Sequence, residues 1–168
     1  MLEPGAYNTP VNIYLACTVR GDRGAVAVLR QVADLLETAG HTVLTRHLLD
    51  DNVDSAESAL SEREVFTRDL EWLTAADVLI AEASGSSYGV GFEVGYVLGK
   101  SDLTDQRVLL LYNASRRSAV SRLIVGTDHP RCTVRGYEHA ADLLPVVTRF
   151  LAHKETTADV PPTRPDWL

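Results

Sequence analysis

The chain has few cysteines and no long apolar run. Cys17 and Cys132 are the only cysteines among 168 residues. Because a domain of this size can build a sufficient core without disulfides, we interpret both as reduced thiols. No apolar run approaches the roughly 18 residues that cross a membrane, and Met1 to Pro10 lacks the basic start and apolar centre of a signal peptide. We therefore expect a cytoplasmic protein that does not contact a membrane.

Positive charge is also scarce. The 16 lysines and arginines are outnumbered by 23 aspartates and glutamates, and the formal net charge is −7. Binding to a nucleic acid requires a basic surface that displaces counterions, so we expect no nucleic-acid partner. The five histidines do not have the spacing of metal ligands, so the sequence predicts no metal site.

Apolar periodicity predicts one domain in which strands alternate with helices. The predicted strands are 11–16, 42–45, 78–83, 108–112 and 133–137; the predicted helices are 24–39, 61–76, 92–99, 120–125 and one that ends near His153, with Pro145 in its first turn or at a kink. This alternation favours a three-layer α/β/α sandwich with a parallel sheet of about five strands, Rossmann/flavodoxin-like, that binds ligands at the carboxyl ends of its strands. We assign residues 1–153 to this domain and 154–168 to a proline-containing tail.

Asp69 occupies an unusual position on the predicted helix 61–76. On a helical wheel it lies in the middle of the apolar side, which is formed by Val65, Phe66, Leu70, Trp72, Leu73 and Ala76, whereas Glu64, Thr67, Arg68 and Glu71 lie opposite. Buried acids are rare unless they are paired or functional. Asp69 is therefore either a catalytic carboxylate or a structural residue that is paired with a backbone N–H group or an arginine.

Glu93 is the only charged residue of the predicted helix 92–99, whose sequence FEVGYVLG is apolar on every side. Such a helix is expected to be buried all round. The prediction places Glu93 in the first turn, where the helix dipole stabilises an anion. Two carboxylates, Glu93 and Asp69, are the groups that glycoside chemistry uses, one at the anomeric carbon and one at the leaving group.

A glycine- and serine-rich loop, 84–91, joins a predicted strand to the Glu93 helix. Backbone N–H groups at such a junction can bind an anion, so a phosphate fits here. The glycine spacing matches neither a dinucleotide fingerprint nor a P-loop. Thr18, Arg20 and Arg23 suggest a second anion site after the first strand, although the arginines could equally be solvated loop charges.

The segments IYLACTVRGDRG, VLTRH, RDLEWLTAADVLIAEASGSSYGVGFEVGYVLGK and SAVSRLIVG occur in this order over most of residues 13–126. Together they resemble the 2′-deoxynucleoside 5′-phosphate N-hydrolases, which are relatives of the nucleoside 2-deoxyribosyltransferases. The third segment is the most specific, because it places Asp69, Ser87 and Glu93 in the register of that family. Cys17 and Thr18 depart from the family, which commonly has glycine and serine at these positions.

The resemblance implies hydrolysis of the N-glycosidic bond of a nucleoside 5′-monophosphate, without a metal or organic cofactor. It makes Glu93 the nucleophile at C1′, Asp69 the acid and base, and Tyr14 the residue that orients Glu93. It also implies a homodimer in which Ser121 acts in trans. The implied substrate-binding residues are Thr18, Arg20, Gly21, His47 near the base, Ser87, Gly89, Gly91 and Ser121 of the partner.

Four other functions remain open. A ribonucleotide N-glycosidase of the CMP type or a deoxyribosyltransferase would use the same two carboxylates. A nucleotide sensor could share the fold without catalysis. Residues 85–89 also match the G-x-S-x-G elbow of serine hydrolases, in which Ser87 would be the nucleophile and His129, His139 or His153 the base.

Overall fold

The computed structural model describes residues 9–152, so the predicted tail lies outside the described residues. Five parallel strands form one sheet in the order β2-β1-β3-β4-β5. The strands are β1 (Asn12–Ala16), β2 (Thr42–Val43), β3 (Val78–Glu82), β4 (Arg107–Asn113) and β5 (Cys132–Tyr137). The strand order reverses between β1 and β3, the point at which ligands bind in open parallel sheets. The predicted five-stranded parallel sheet is confirmed.

Helices cover both faces of the sheet. They are α1 (Val26–Thr38), α2 (Val53–Glu57), α3 (Glu62–Ala75), α4 (Tyr88–Gly99), α5 (Arg122–Val125) and α6 (Ala140–Ala152). Side chains alternate along a strand, so Ile13 and Leu15 belong to the core beneath α1 and α6, whereas Tyr14 and Ala16 belong to the core beneath α3 and α4. The predicted three-layer sandwich is therefore confirmed. Within residues 9–152, no helix is long and apolar enough to cross a bilayer.

The second strand is shorter than predicted, because a side chain replaces the backbone at its end. The Thr45 hydroxyl accepts from the Leu15 N–H (2.9 Å) and donates to the Leu15 carbonyl (2.7 Å). The chain then leaves the sheet as a 3-10 helix, Arg46–Leu49, and continues into α2. The acidic stretch after residue 50 thus contains a helix.

The predicted start of the Glu93 helix is wrong. Helix α4 begins at Tyr88, because Ser87 caps it by accepting a hydrogen bond from the Val90 N–H at 3.4 Å. The following residues, Gly89 and Gly91, are helical although glycine is a poor helix former. Of the two positions predicted for Pro145, the first turn is wrong, since Pro145 is the sixth residue of α6.

Candidate active site

Tyr14 and Glu93 meet at the carboxyl end of the sheet. Tyr14 is fully buried on β1, and its hydroxyl donates to Glu93 Oε1 at 2.6 Å. Burial raises the pKa of Glu93 to about 7; the Tyr14 hydrogen bond opposes this rise and the charge of Asp69 adds to it. Burial, together with the Glu93 charge, also raises the pKa of Tyr14, which therefore stays a proton donor. Glu93 is thus a partly buried carboxylate with one fixed hydrogen-bond donor, Tyr14, and a neighbouring acid, Asp69.

Glu93 is the sixth residue of α4 and lies in its second turn. The predicted first-turn position is wrong for the reason given above: the helix starts at the Ser87 cap. The helix-dipole argument for a carboxylate applies to the first turn only. The hydrogen bond of Tyr14 is therefore the specific interaction that stabilises the ionised Glu93.

Asp69 is half-buried on α3, with 26% of its side chain exposed, and it is paired with its neighbour Arg68. Arg68 Nε and Nη2 lie 2.8 and 2.7 Å from Asp69 Oδ1. Burial raises the pKa of Asp69 and Arg68 counteracts that rise. The predicted solvent-facing position of Arg68 is wrong, because its guanidinium turns towards the apolar side of the helix and covers the Trp72 ring at 5.0 Å. Phe66, predicted on the apolar side, is 53% exposed.

Glu57 and His47 complete this cluster. Glu57 Oε1 lies 2.5 Å from Arg68 Nη2 and 3.6 Å from His47 Nε2. The His47 ring stands 5.1 Å from the Trp72 ring, measured between centroids. Burial lowers the pKa of His47, so the ring is neutral at physiological pH. Sequence reasoning missed Glu57, because α2 joins Arg68 only through the tertiary fold and no spacing indicates the contact.

The loop after β3 meets the loop after β1. A Cβ added at Gly85 would lie 2.1 Å from Thr18 Oγ1 and 2.8 Å from the Asp22 carbonyl, so only glycine allows this approach. Thr18 Oγ1 is buried and has no hydrogen-bond partner among the described residues. The first N–H groups of α4, from Tyr88 and Gly89, have no acceptor within the helix.

The two loop arginines differ in their surroundings. Arg20 is exposed and pairs with Asp54 at 2.9 Å, next to Gly21, whose φ is +125°. Arg23 donates to the carbonyls of Thr18, Leu48 and Asp50, at 3.2, 3.0 and 2.9 Å. Arg23 therefore fixes the loop, and only Arg20 projects from it.

Ser121 is exposed at the start of α5. Tyr88 and Phe92 of α4 are also exposed, by 99% and 55%. The expectation that α4 is buried all round is therefore wrong for the single chain. Phe92 contacts Phe66 of α3 and Tyr96 of α4, with ring centroids 6.3 and 6.2 Å apart, so the helices share an exposed aromatic face.

A second buried carboxylate, Glu82, ends β3. It accepts from the Ser84 hydroxyl and, at 2.9 Å, from the Tyr137 hydroxyl. Ser84 in turn accepts from the Asn113 N–H at 2.7 Å. Sequence reasoning did not single out Glu82, although a charge inside the apolar segment VLIAEA was a visible signal. The hydrogen bonds of Glu82 and Ser84 together join the ends of β3, β4 and β5.

Neither a metal nor a serine triad is assembled within residues 9–152. No group of three or more His, Cys, Asp or Glu residues there could hold a metal ion. Ser87 Oγ caps α4, and no described histidine is hydrogen-bonded to it. A cavity of about 240 Å³ between β4, β5 and α6 is lined by Arg107, Arg131 and Phe150 among others, but by none of the candidate site residues.

Comparison with known proteins identifies the family of the chain. The model of the nucleoside 2-deoxyribosyltransferase family matches residues 13–143. This chain belongs to that family. The match includes all the residues of the candidate site, from Tyr14 to Ser121.

Relatives of this chain include proteins that are named as nucleotide hydrolases. The chain is 43% identical over 116 residues, 69% of its length and 78% of the relative's, to "Putative 2′-deoxynucleoside 5′-phosphate N-hydrolase 1" of Thermofilum pendens. It is 33% identical over 129 residues, 75% and 71% of the two chains, to human 5-hydroxymethyl-dUMP N-hydrolase. The fold also matches the CMP N-glycosidase BcmB of Clostridium botulinum, with a TM-score of 0.61 and 18% identity over 83% of this chain and 99% of that one.

Proposed function

We propose that this family member hydrolyses the N-glycosidic bond of a nucleoside 5′-monophosphate and releases the free base and a pentose 5-phosphate. The observation that carries this proposal is the partly buried Glu93 carboxylate, which the Tyr14 hydroxyl holds at 2.6 Å and which lies close enough to Asp69 for the two charges to interact. Two such carboxylates are what retaining glycosidases use. The names of the relatives above support a nucleotide as the substrate.

In this mechanism Glu93 attacks C1′ while Asp69 gives its proton to the departing base. The C1′–N bond breaks and a glycosyl-enzyme ester forms at Glu93. Asp69, now ionised, takes a proton from water as the hydroxide attacks C1′, which frees Glu93. Asp69 thus changes from acid to base between the two steps, as microscopic reversibility requires.

The 5′-phosphate is proposed to bind where the loops after β1 and β3 meet the start of α4. The N–H groups of Tyr88 and Gly89 have no acceptor within the helix there, and this end of a helix attracts anions. Ser87 accepts from Val90 through its oxygen, so its hydroxyl hydrogen is available for a phosphate. Thr18 lies directly beneath the loop, and Arg20, with its exposed side chain, can turn from Asp54 to the phosphate. Gly21 and Gly91 are proposed to line the sugar phosphate, and His47 the base.

A homodimer is part of the proposal. The aromatic face of α3 and α4 exposes Tyr88 and Phe92, and large apolar groups that cluster on a surface are typical of protein interfaces. We propose a two-fold dimer through this face in which Ser121 of one subunit completes the phosphate site of the other. A cytoplasmic location is also proposed, because Cys17 and Cys132 are free thiols, as in reducing compartments.

The test is incubation with a panel of ribo- and deoxyribonucleoside 5′-monophosphates and the matching nucleosides, scored by chromatography for free base. We expect base release from monophosphates and far slower release from nucleosides, because the phosphate positions the sugar for attack. Preference for CMP would assign the ribonucleotide activity, and exchange with an added second base would assign a transferase. Nucleotide binding without base release would contradict the proposal and favour a sensor.

A further inference from the structure

Arg68 is shared between two carboxylates. Its Nη2 atom lies 2.5 Å from Glu57 Oε1 and 2.7 Å from Asp69 Oδ1, and its Nε atom lies 2.8 Å from the same Asp69 oxygen. Only 22% of the Arg68 side chain and 12% of the Glu57 side chain are exposed. Bonds to charged groups in such a position are stronger than those between solvated surface charges.

We infer that Arg68 and Glu57 are positioning residues for Asp69, with Arg68 fixing the orientation of the Asp69 carboxyl and Glu57 setting how much of the Arg68 charge acts on it. This inference rests on the proposed role of Asp69 as acid and base. Because Arg68 bonds Oδ1 through two nitrogens, Oδ2 is left to exchange the proton. Glu57 contacts the same Nη2 atom that contacts Asp69, so the charge of the guanidinium is divided between the two carboxylates.

The charged and titratable groups around Asp69 come from every neighbouring element. Arg68 lies on α3 itself, Glu57 on α2, His47 on the preceding 3-10 helix, and Glu93 and Tyr14 on α4 and β1. Among these, Arg68 is the only permanent cation. Glu57 partly cancels it, because the Glu57 charge raises the pKa of Asp69 while Arg68 lowers it.

This arrangement suits a group that must hold a proton before the first step and remove one in the second. A fully paired Asp69 would stay ionised and could not protonate the base. An unpaired Asp69 would hold its proton more tightly. It would therefore be a poorer acid for the departing nucleobase, and its ionised form would be less stable while the glycosyl-enzyme exists. The shared arginine gives Asp69 a proton affinity between these extremes.

The test compares Arg68→Met with Glu57→Gln. The limb of the pH profile of kcat/KM that Asp69→Asn removes should move by about one pH unit, upward in Arg68→Met and downward in Glu57→Gln. Arg63→Met and Glu62→Gln, exposed on the same helix, are the matched controls and should leave the profile unchanged. Arg68→Lys should shift the limb less than Arg68→Met does, because lysine keeps the positive charge but cannot make the two-nitrogen contact with Asp69.

A second readout does not depend on turnover. NMR titration of ¹³C-labelled aspartate carboxyls, with the Asp69 signal assigned by its loss in Asp69→Asn, should show the same two opposite shifts. Opposite shifts in this titration without base release would support the coupling and reject the proposed hydrolysis. Shifts in the same direction, or none, in variants whose thermal unfolding matches the wild type would overturn the inference.

Discussion

At the scale of single residues, Tyr14 sets the charge of Glu93. Burial raises the pKa of Glu93 to about 7, and the hydrogen bond from Tyr14 keeps it from rising further. Tyr14→Phe removes that bond and should raise the pKa above 7. Since Glu93 must be ionised to attack, activity at neutral pH should fall and the acid limb of the kcat/KM profile should move to higher pH. If the acid limb does not move in a folded Tyr14→Phe protein, Tyr14 does not control the ionisation of Glu93.

Glu93 itself is predicted to trade stability for activity. Its pKa is about 7 in the folded chain against an ordinary value of 4.5, so the folded state binds more protons than the unfolded state between these values. Stability is therefore lost as the pH rises from about 4.5 to 7, and the loss is complete above 7.

Glu93→Gln should consequently abolish base release and stabilise the protein. The gain at pH 8 should be about 1–3 kcal/mol, since one pKa unit corresponds to about 1.4 kcal/mol and partial solvent screening reduces the total. At pH 5, where the loss has only begun, the gain should be about a quarter of this value. Urea unfolding of the wild type and the variant at both pH values measures this difference. Equal gains at the two pH values would mean that burial of the charge is not the cause, and retained turnover would exclude Glu93 as the nucleophile.

At the scale of elements, the start of α4 combines a structural and a binding role in one serine. Ser87→Ala loses the cap and the hydroxyl donor, so we expect a loss of about 1 kcal/mol in the free energy of unfolding together with a higher KM. Ser87→Asp keeps a capping oxygen but brings a negative charge to the proposed phosphate site. It should retain the stability of the wild type and still lose nucleotide affinity.

Thermal unfolding and binding of a non-hydrolysed nucleotide by Glu93→Gln/Ser87→Asp distinguish the two roles. Ser86→Ala, one residue earlier, is the matched control, because the Ser86 hydroxyl bonds the Ala119 carbonyl and does not cap the helix. Wild-type affinity in Ser87→Asp would place the phosphate elsewhere.

The helix starts also mark where prediction from sequence ends. Strands such as Val78–Glu82 are continuous apolar segments between polar ones, so local pattern predicts them. The start of α4 was predicted four residues late because Gly89 and Gly91 indicate a loop, whereas the Ser87 cap and packing against the sheet make them helical. Asp69 and Glu93 could be found as charges on apolar faces, but the Arg68–Glu57 contact could not, because it depends on how α2 meets α3.

At the scale of the whole molecule, a shared active site makes a prediction about mixed dimers. Glu93→Gln and Ser121→Ala homodimers should each be impaired. A mixed dimer would contain one site that carries both wild-type residues, so subunit exchange should restore activity well above the sum of the two separate variants. Differently tagged subunits allow the mixed species to be purified and assayed.

Two results would contradict this prediction. Verified mixed dimers without recovery would mean that Ser121 does not act in trans. Full activity of a monomer at assay concentration, measured by analytical ultracentrifugation, would mean that each phosphate site is built within one chain. Phe92→Glu, which places a charge on the exposed aromatic face of α4, should favour the monomer if that face is the interface.

The hydroxyl of Thr45 limits which substitutions are tolerated near His47, at the end of the site where the nucleobase is proposed to bind. By bonding both the N–H and the carbonyl of Leu15, one side-chain oxygen replaces a strand peptide, and the chain is free to turn two residues before His47. Where the backbone ladder between β1 and β2 stops, the pairing thus depends on the rotamer of Thr45. Thr45→Ser should preserve both hydrogen bonds. The isosteric Thr45→Val would leave the buried N–H and carbonyl of Leu15 without this partner, so position 45 tolerates a change in size but not the loss of the hydroxyl.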